Sequence, residues 1–152
     1  MKTKNILIII CLFCTSAGFA QNKLFEKYAD MDNVTSVYIS KAMFQMMGNV
    51  VNAGMNFTNL KGKIESLQLV STEKQNMIAQ MKKDFSQLVG NSQYQELMRV
   101  KDEKNRVNFF ASMQGDLIKE LIMLVNDEDS FTAIQLVGNF TLQDVQDIVK
   151  QK

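Results

Sequence analysis

Residues 97–137 read LMRVKDEKNRVNFFASMQGDLIKELIMLVNDEDSFTAIQLV, and this stretch decides the fold. Leu97 to Lys101 and Arg106 to Met113 flank Asp102-Glu103-Lys104-Asn105, a polar cluster suited to a turn between two strands. Val107, Phe109, Ala111 and Met113 alternate with Asn108 and Ser112, as strand residues do, although Phe110 interrupts the pattern. Gln114-Gly115-Asp116 marks the next turn. Leu117 to Val125 is mostly apolar and fits a buried strand or a short helix; the turns at both ends favour a strand. Asn126 to Ser130 is an acidic turn, and Phe131 to Val137 a further strand ending at Gly138. Strands joined by turns this short pair antiparallel.

Upstream, helices alternate with single strands. Leu24, Phe25, Tyr28 and Ala29 have the spacing of a short amphipathic helix. Val34 to Ser40 is β-branched and aromatic and follows the turn-forming Asp30-Met31-Asp32-Asn33. Ile64 to Val70 reads as another strand. Met77, Ile78, Met81, Phe85, Leu88 and Val89 form one helical stripe, with Thr72 and Gln75 as a capping box and Gly90 as a stop. Thr141 caps a closing helix whose Leu142, Val145, Ile148 and Val149 face inward. The expected architecture is α+β: an antiparallel or mixed sheet of about five or six strands with helices packed on one face.

Ala42, Met43, Met46, Met47, Val50, Val51 and Met55 also repeat a helical spacing, although Gly48 and Gly54 each weaken a helix by about 1 kcal/mol. The stripe is expected to face the core, with Met as a flexible filler. Left partly exposed, it would be an adaptable binding surface instead. Met43, Met46, Met47, Val50, Val51, Met55 and Phe57 are therefore the candidate partner surface.

The N-terminus reads as an address. Lys2 and Lys4 precede an apolar core, Ile6 to Cys14, and Gly18 and Ala20 occupy the −3 and −1 positions of a cut before Gln21. The core is too short for a span, which needs roughly 20 apolar residues. Lipid attachment at Cys14 is disfavoured by the bulky Leu12-Phe13 before it. The reading is a signal peptide over 1–20 and a single domain over 21–152, exported to the periplasm or beyond. Removing residues 1–20 from the 152 leaves 132 residues, with 15 basic against 16 acidic residues, a net charge of −1. Such a balance offers nothing to nucleic acid.

Chemistry is constrained by what is missing. The chain has no His, and both its cysteines, Cys11 and Cys14, fall in the leader. His-based triads and His-ligated metals are excluded, as are disulfides in the processed chain. Ser71-Thr72-Glu73-Lys74 matches the S-x-x-K acylation motif, but neither S-D-N nor K-T-G accompanies it. Asp127-Glu128-Asp129 and Asp30/Asp32 lie in turns, where solvated acids are ordinary. No pattern points to a cofactor.

Phe25-Glu26-Lys27-Tyr28, Val34 to Lys41 running into Met43-Phe44, Met98-Arg99-Val100-Lys101, Val107-Asn108-Phe109 and Ile134 to Phe140 together resemble the DUF4252 family. The likeness extends over nearly all of residues 24–149. It implies a small exported α+β protein of Bacteroidota in the cell envelope, and it brings no catalytic residues. The reading that follows is a non-catalytic binding or regulatory module whose partner is another envelope protein. The alternatives are a small hydrolase using carboxylates or Ser71/Lys74, and a carrier of a hydrophobic ligand.

Overall fold

The computed structural model describes residues 22–47, 51–52, 55–56, 60 and 62–150. The expected leader, residues 1–20, lies outside the described residues, as do Val50 and Phe57. In chain order the elements are α1 (Asn22–Ala29), β1 (Thr35–Ser40), α2 (Lys41–Met46), β2 (Val51–Asn52), β3 (Met55–Asn56) and β4 (Ile64–Thr72). Then come α3 (Gln75–Val89), β5 (Gln95–Lys101), β6 (Arg106–Gln114), β7 (Leu117–Asn126), β8 (Phe131–Phe140) and α4 (Leu142–Lys150). One six-stranded sheet has the order β1-β4-β8-β7-β6-β5, antiparallel throughout, and β2 and β3 form a separate two-stranded ladder. The fold is α+β. Among the described residues no helix is long and apolar enough to cross a membrane.

The meander β5–β8 is built by its turns. Asp102 Oδ1 accepts from the backbone N–H groups of Lys104 and Asn105, closing the first hairpin. Gly115 sits at φ +60, a left-handed conformation that glycine reaches without strain. Leu117–Asn126 is a strand, as its flanking turns predict.

Helices cover both faces of the sheet, so the packing goes further than the expected single covered face. On one face Val70, Ile122, Leu124, Phe131 and Ala133 meet Phe25 and Tyr28 of α1 and Ile78, Met81, Phe85 and Val89 of α3. On the other Leu67, Leu69, Phe109, Leu121, Met123, Ile134 and Leu136 meet Phe44 of α2 and Val145 and Ile148 of α4. This explains two irregularities of the sequence. Phe109 and Phe110 belong to opposite clusters, and Leu121-Ile122-Met123-Leu124 is buried as an unbroken run because both sides of β7 face apolar layers.

Two start signals resolve differently. For α3 the expected capping box is not formed: the N-cap is Lys74, without a side-chain cap. Thr72 Oγ1 instead accepts from Lys74 N–H at 3.2 Å and donates to the Asn33 carbonyl at 2.8 Å, tying β4 to the β1 approach. For α4 the cap is reciprocal. Thr141 Oγ1 accepts from Asp144 N–H, and Asp144 Oδ2 accepts from Thr141 N–H at 2.8 Å.

Asp144 also receives Lys63 Nζ on both oxygens, at 2.7 and 2.8 Å. Burial pushes its carboxyl up, but the Lys63 ammonium and the Thr141 N–H and O–H more than offset this, and the net displacement is downward. Asp84 is lowered as well, chiefly by the hydrogen bond from Tyr28 and then by Lys27, against an opposing effect of burial. A carboxyl whose folded value lies below its unfolded one releases its proton more readily in the folded state. Its stabilisation is present above about pH 4 and is lost as pH falls through the folded value. Acid titration of stability should therefore show a decline below about pH 4 that Asp144→Asn makes shallower. A slope unchanged by that substitution would exclude Asp144 as a contributor.

Candidate functional site

The segment expected as a four-turn Met-rich helix is shorter and faces differently. Helix α2 spans only Lys41–Met46, with Ser40 as N-cap accepting from Met43 N–H, and Met47 N–H closing onto the Met43 carbonyl. Val51 and Met55, placed on one helical stripe by their spacing, instead belong to the β2–β3 ladder, paired Val51↔Asn56 and Asn52↔Met55. Gly48, Gly54 and the β-branched pair Val50-Val51 all disfavour a helix, and together they outweigh the periodicity.

The core-facing residue of α2 is Phe44, fully buried, with Met47 half-buried against the same cluster. Met43 and Met46 point outward, 47% and 76% exposed, so the core position expected for them is corrected. In a helix this short one face can enter the core, and the ring of Phe44 buries more apolar area than a thioether. The preceding strand adds Val37 and Tyr38, 36% and 66% exposed. Four of the seven large exposed hydrophobic side chains among the described residues thus fall between positions 37 and 46.

In the alternative Ser71/Lys74 pair, Lys74 is the N-cap of α3 but Ser71 does not open that helix. Ser71 lies inside β4, and its hydroxyl is hydrogen-bonded to Thr132 Oγ1 across the ladder at 2.7 Å. With Lys74 it lines an open recess beside Asn33, Val34 and Thr35. A second open groove, about 650 Å³, lies between α3 and the β5–β6 hairpin. Lys82, Lys101, Lys104 and Arg106 line it together with Asp102, Glu103 and Asp127, so its charges nearly cancel.

The acidic turns are equally local. Asp127 N–H donates to the Ser130 carbonyl, and Asp127 Oδ1 accepts from Glu128 N–H. Among the described residues no three His, Cys, Asp or Glu side chains converge as a metal centre requires.

The sequence reading missed a buried polar group on β7. Glu120 is 7% exposed; its carboxylate accepts from Tyr94 Oη at 3.0 Å and from Gln135 Nε2. Burial and the adjacent Glu120 charge push the Tyr94 phenol far above its ordinary value, so it stays a donor. Among the described residues no Lys or Arg forms an ion pair with Glu120. The signal was present: Glu120 is the one acid within the apolar run 117–125. Tyr28 is likewise committed, donating to Asp84 at 2.6 Å. Each of these two sets of groups is hydrogen-bonded within the fold.

Against this geometry the comparison with known families is informative. The profile of a domain of unknown function, DUF4252, matches residues 28–148. The chain belongs to the DUF4252 family. The match runs from Tyr28 near the end of α1 to Ile148 in α4 and so spans all six strands of the main sheet. No curated protein and no solved structure matches this DUF4252 chain.

Proposed function

We propose that this DUF4252 protein is an exported, non-catalytic binding module of the cell envelope, engaging another protein through the β1–α2 edge. The observation that carries the reading is the exposure of Val37, Met43 and Met46 along the side of the edge that α2 covers, with Tyr38 exposed on the opposite face of the same edge strand. Exposed apolar side chains grouped together mark interaction sites more often than scattered ones do. Flexible thioethers suit a surface that adapts to its partner. Export is supported by the charged, apolar and small-residue order of residues 1–20, with cleavage near Ala20/Gln21. The commitment of Glu120, Asp84, Asp144 and Ser71 to partners within the fold is consistent with a role outside catalysis.

The test is capture from envelope extracts by the tagged protein, compared with Met43→Glu/Met46→Glu. Both side chains are exposed, so folding should change by no more than about 0.5 kcal/mol. A saturable partner should be retained by the parent protein and lost by about tenfold or more in the double variant. Equal capture by both would overturn this placement of the surface.

A further inference from the structure

An open sheet has two edges, and here they are built differently. Edge strand β5 carries Glu96, Arg99 and Lys101 and a register shift between Glu96 and Met98, features that discourage pairing with another chain. Edge strand β1, Thr35-Ser36-Val37-Tyr38-Ile39-Ser40, has no charge, no Pro and no Gly. Its register with β4 runs unbroken from Thr35↔Ser71 to Ser40↔Ser66. Thr35 to Tyr38 are exposed, and among the described residues no strand pairs with the outer side of β1. It is a six-residue template for strand addition.

We propose that β1 pairs antiparallel with β1 of a second copy of this chain, about a two-fold axis at Val37. The inference rests on the reading of the β1–α2 edge as a binding surface and assigns its strand β1 to self-pairing, beside the α2 methionines that engage the other protein. Charge at the two ends of the strand selects this partner and this direction. Asp30 and Asp32, both exposed, precede β1, and the exposed Lys41 follows it. An antiparallel two-fold brings the acidic end of each copy to the basic end of the other. A parallel pair would set acid against acid. Continuity of the sheet requires opposed residues to share a face, so only alternate registers are allowed. With the axis at Val37, Thr35 opposes Ile39 of the second copy and Ser36 opposes Tyr38, and the Asp30/Asp32 turn before the strand of one copy comes to the end at which Lys41 of the other begins its helix. Lys41 now pairs with Glu65 at 2.9 Å, an exposed contact worth little. One short strand per copy is a small interface, so the dimer is weak and depends on concentration.

Two measurements on the chain made from its complete gene, in a Cys11→Ser/Cys14→Ser background, test this. In sedimentation velocity the protein should move from monomer toward dimer as its concentration rises about a hundredfold, and Val37→Lys should remove the shift. Under mild oxidation Val37→Cys should form a disulfide-linked dimer. Thr35→Cys should not, because the two-fold holds its two copies beyond the roughly 7 Å limit between α-carbons. A chain monomeric throughout, or equal cross-linking by both cysteine variants, overturns the proposal. If that chain still loses its captured partner on Met43→Glu/Met46→Glu, self-pairing alone fails and the binding-surface reading stands. If the chain self-pairs while capture is unaffected by that double variant, the strand pairing stands and the binding-surface reading fails.

Discussion

Gly138→Ala is expected to cost about 3 kcal/mol of unfolding free energy, a large loss for a single methyl group. A Cβ at position 138 would lie 2.1 Å from the Lys63 carbonyl oxygen and 3.1 Å from the Ile64 α-carbon. Both obstacles are backbone, so no rotamer change relieves them. Relief requires β4 and β8 to separate where Ile64 opposes Gly138, beside the Asn139 N–H bond to Lys63 O at 2.9 Å. Gly62, one residue from that carbonyl's own residue, has nothing within 4 Å of a built Cβ. Gly62→Ala should therefore stay within about 0.5 kcal/mol. Urea unfolding of both variants provides the check. Equal stabilities would mean that the β4 approach yields freely.

Phe85→Ala should be as damaging or more, about 3–5 kcal/mol. Phe85 is fully buried, with its ring centroid 5.0 Å from Phe25, 5.7 Å from Tyr28 and 6.0 Å from Phe131. It is the point at which α1, α3 and β8 meet, so truncation removes aromatic contact and opens a cavity in one step. A domain holds only about 5–15 kcal/mol in reserve. Thermal melts should show a lowered midpoint and weakened protection of α1 amides against exchange. Full protection of α1 in the variant would show that helix docking does not depend on this ring.

The sequence was most readable where structure is locally determined. The β5–β8 meander follows from Asp102, Gly115 and Asp127 at its turns, and α3 from a stripe that needs no distant partner to be recognised. Reading failed where two local patterns coexist or where distant strands decide. Residues 42–55 carry a helical period over glycines and β-branched residues, and only packing of Phe44 shows where the helix ends. The covering of both faces was written in Phe109-Phe110 and in the continuous run of β7, yet a period-two reading treats these as irregularities. The candidate surface was half legible. Its location near Met43 and Met46 was readable, but their orientation was not, because a stripe gives spacing without saying which side the core occupies. Val37 and Tyr38 joined it only once β1 was placed at an edge, a fact of strand order.

That strand order also bears on when the molecule can exist at all. β8, residues Phe131–Phe140, follows the other five strands of the sheet in the chain, yet it lies between β4 and β7 and joins the early strands to the late ones. Until it is complete, β1 and β4 have no third strand beside them, and the pair is supported only by the helices packed on it. The N-terminal strands therefore join the β5–β7 meander only once β8 is in place. A chain shortened before β8 loses the connection between both halves rather than one strand.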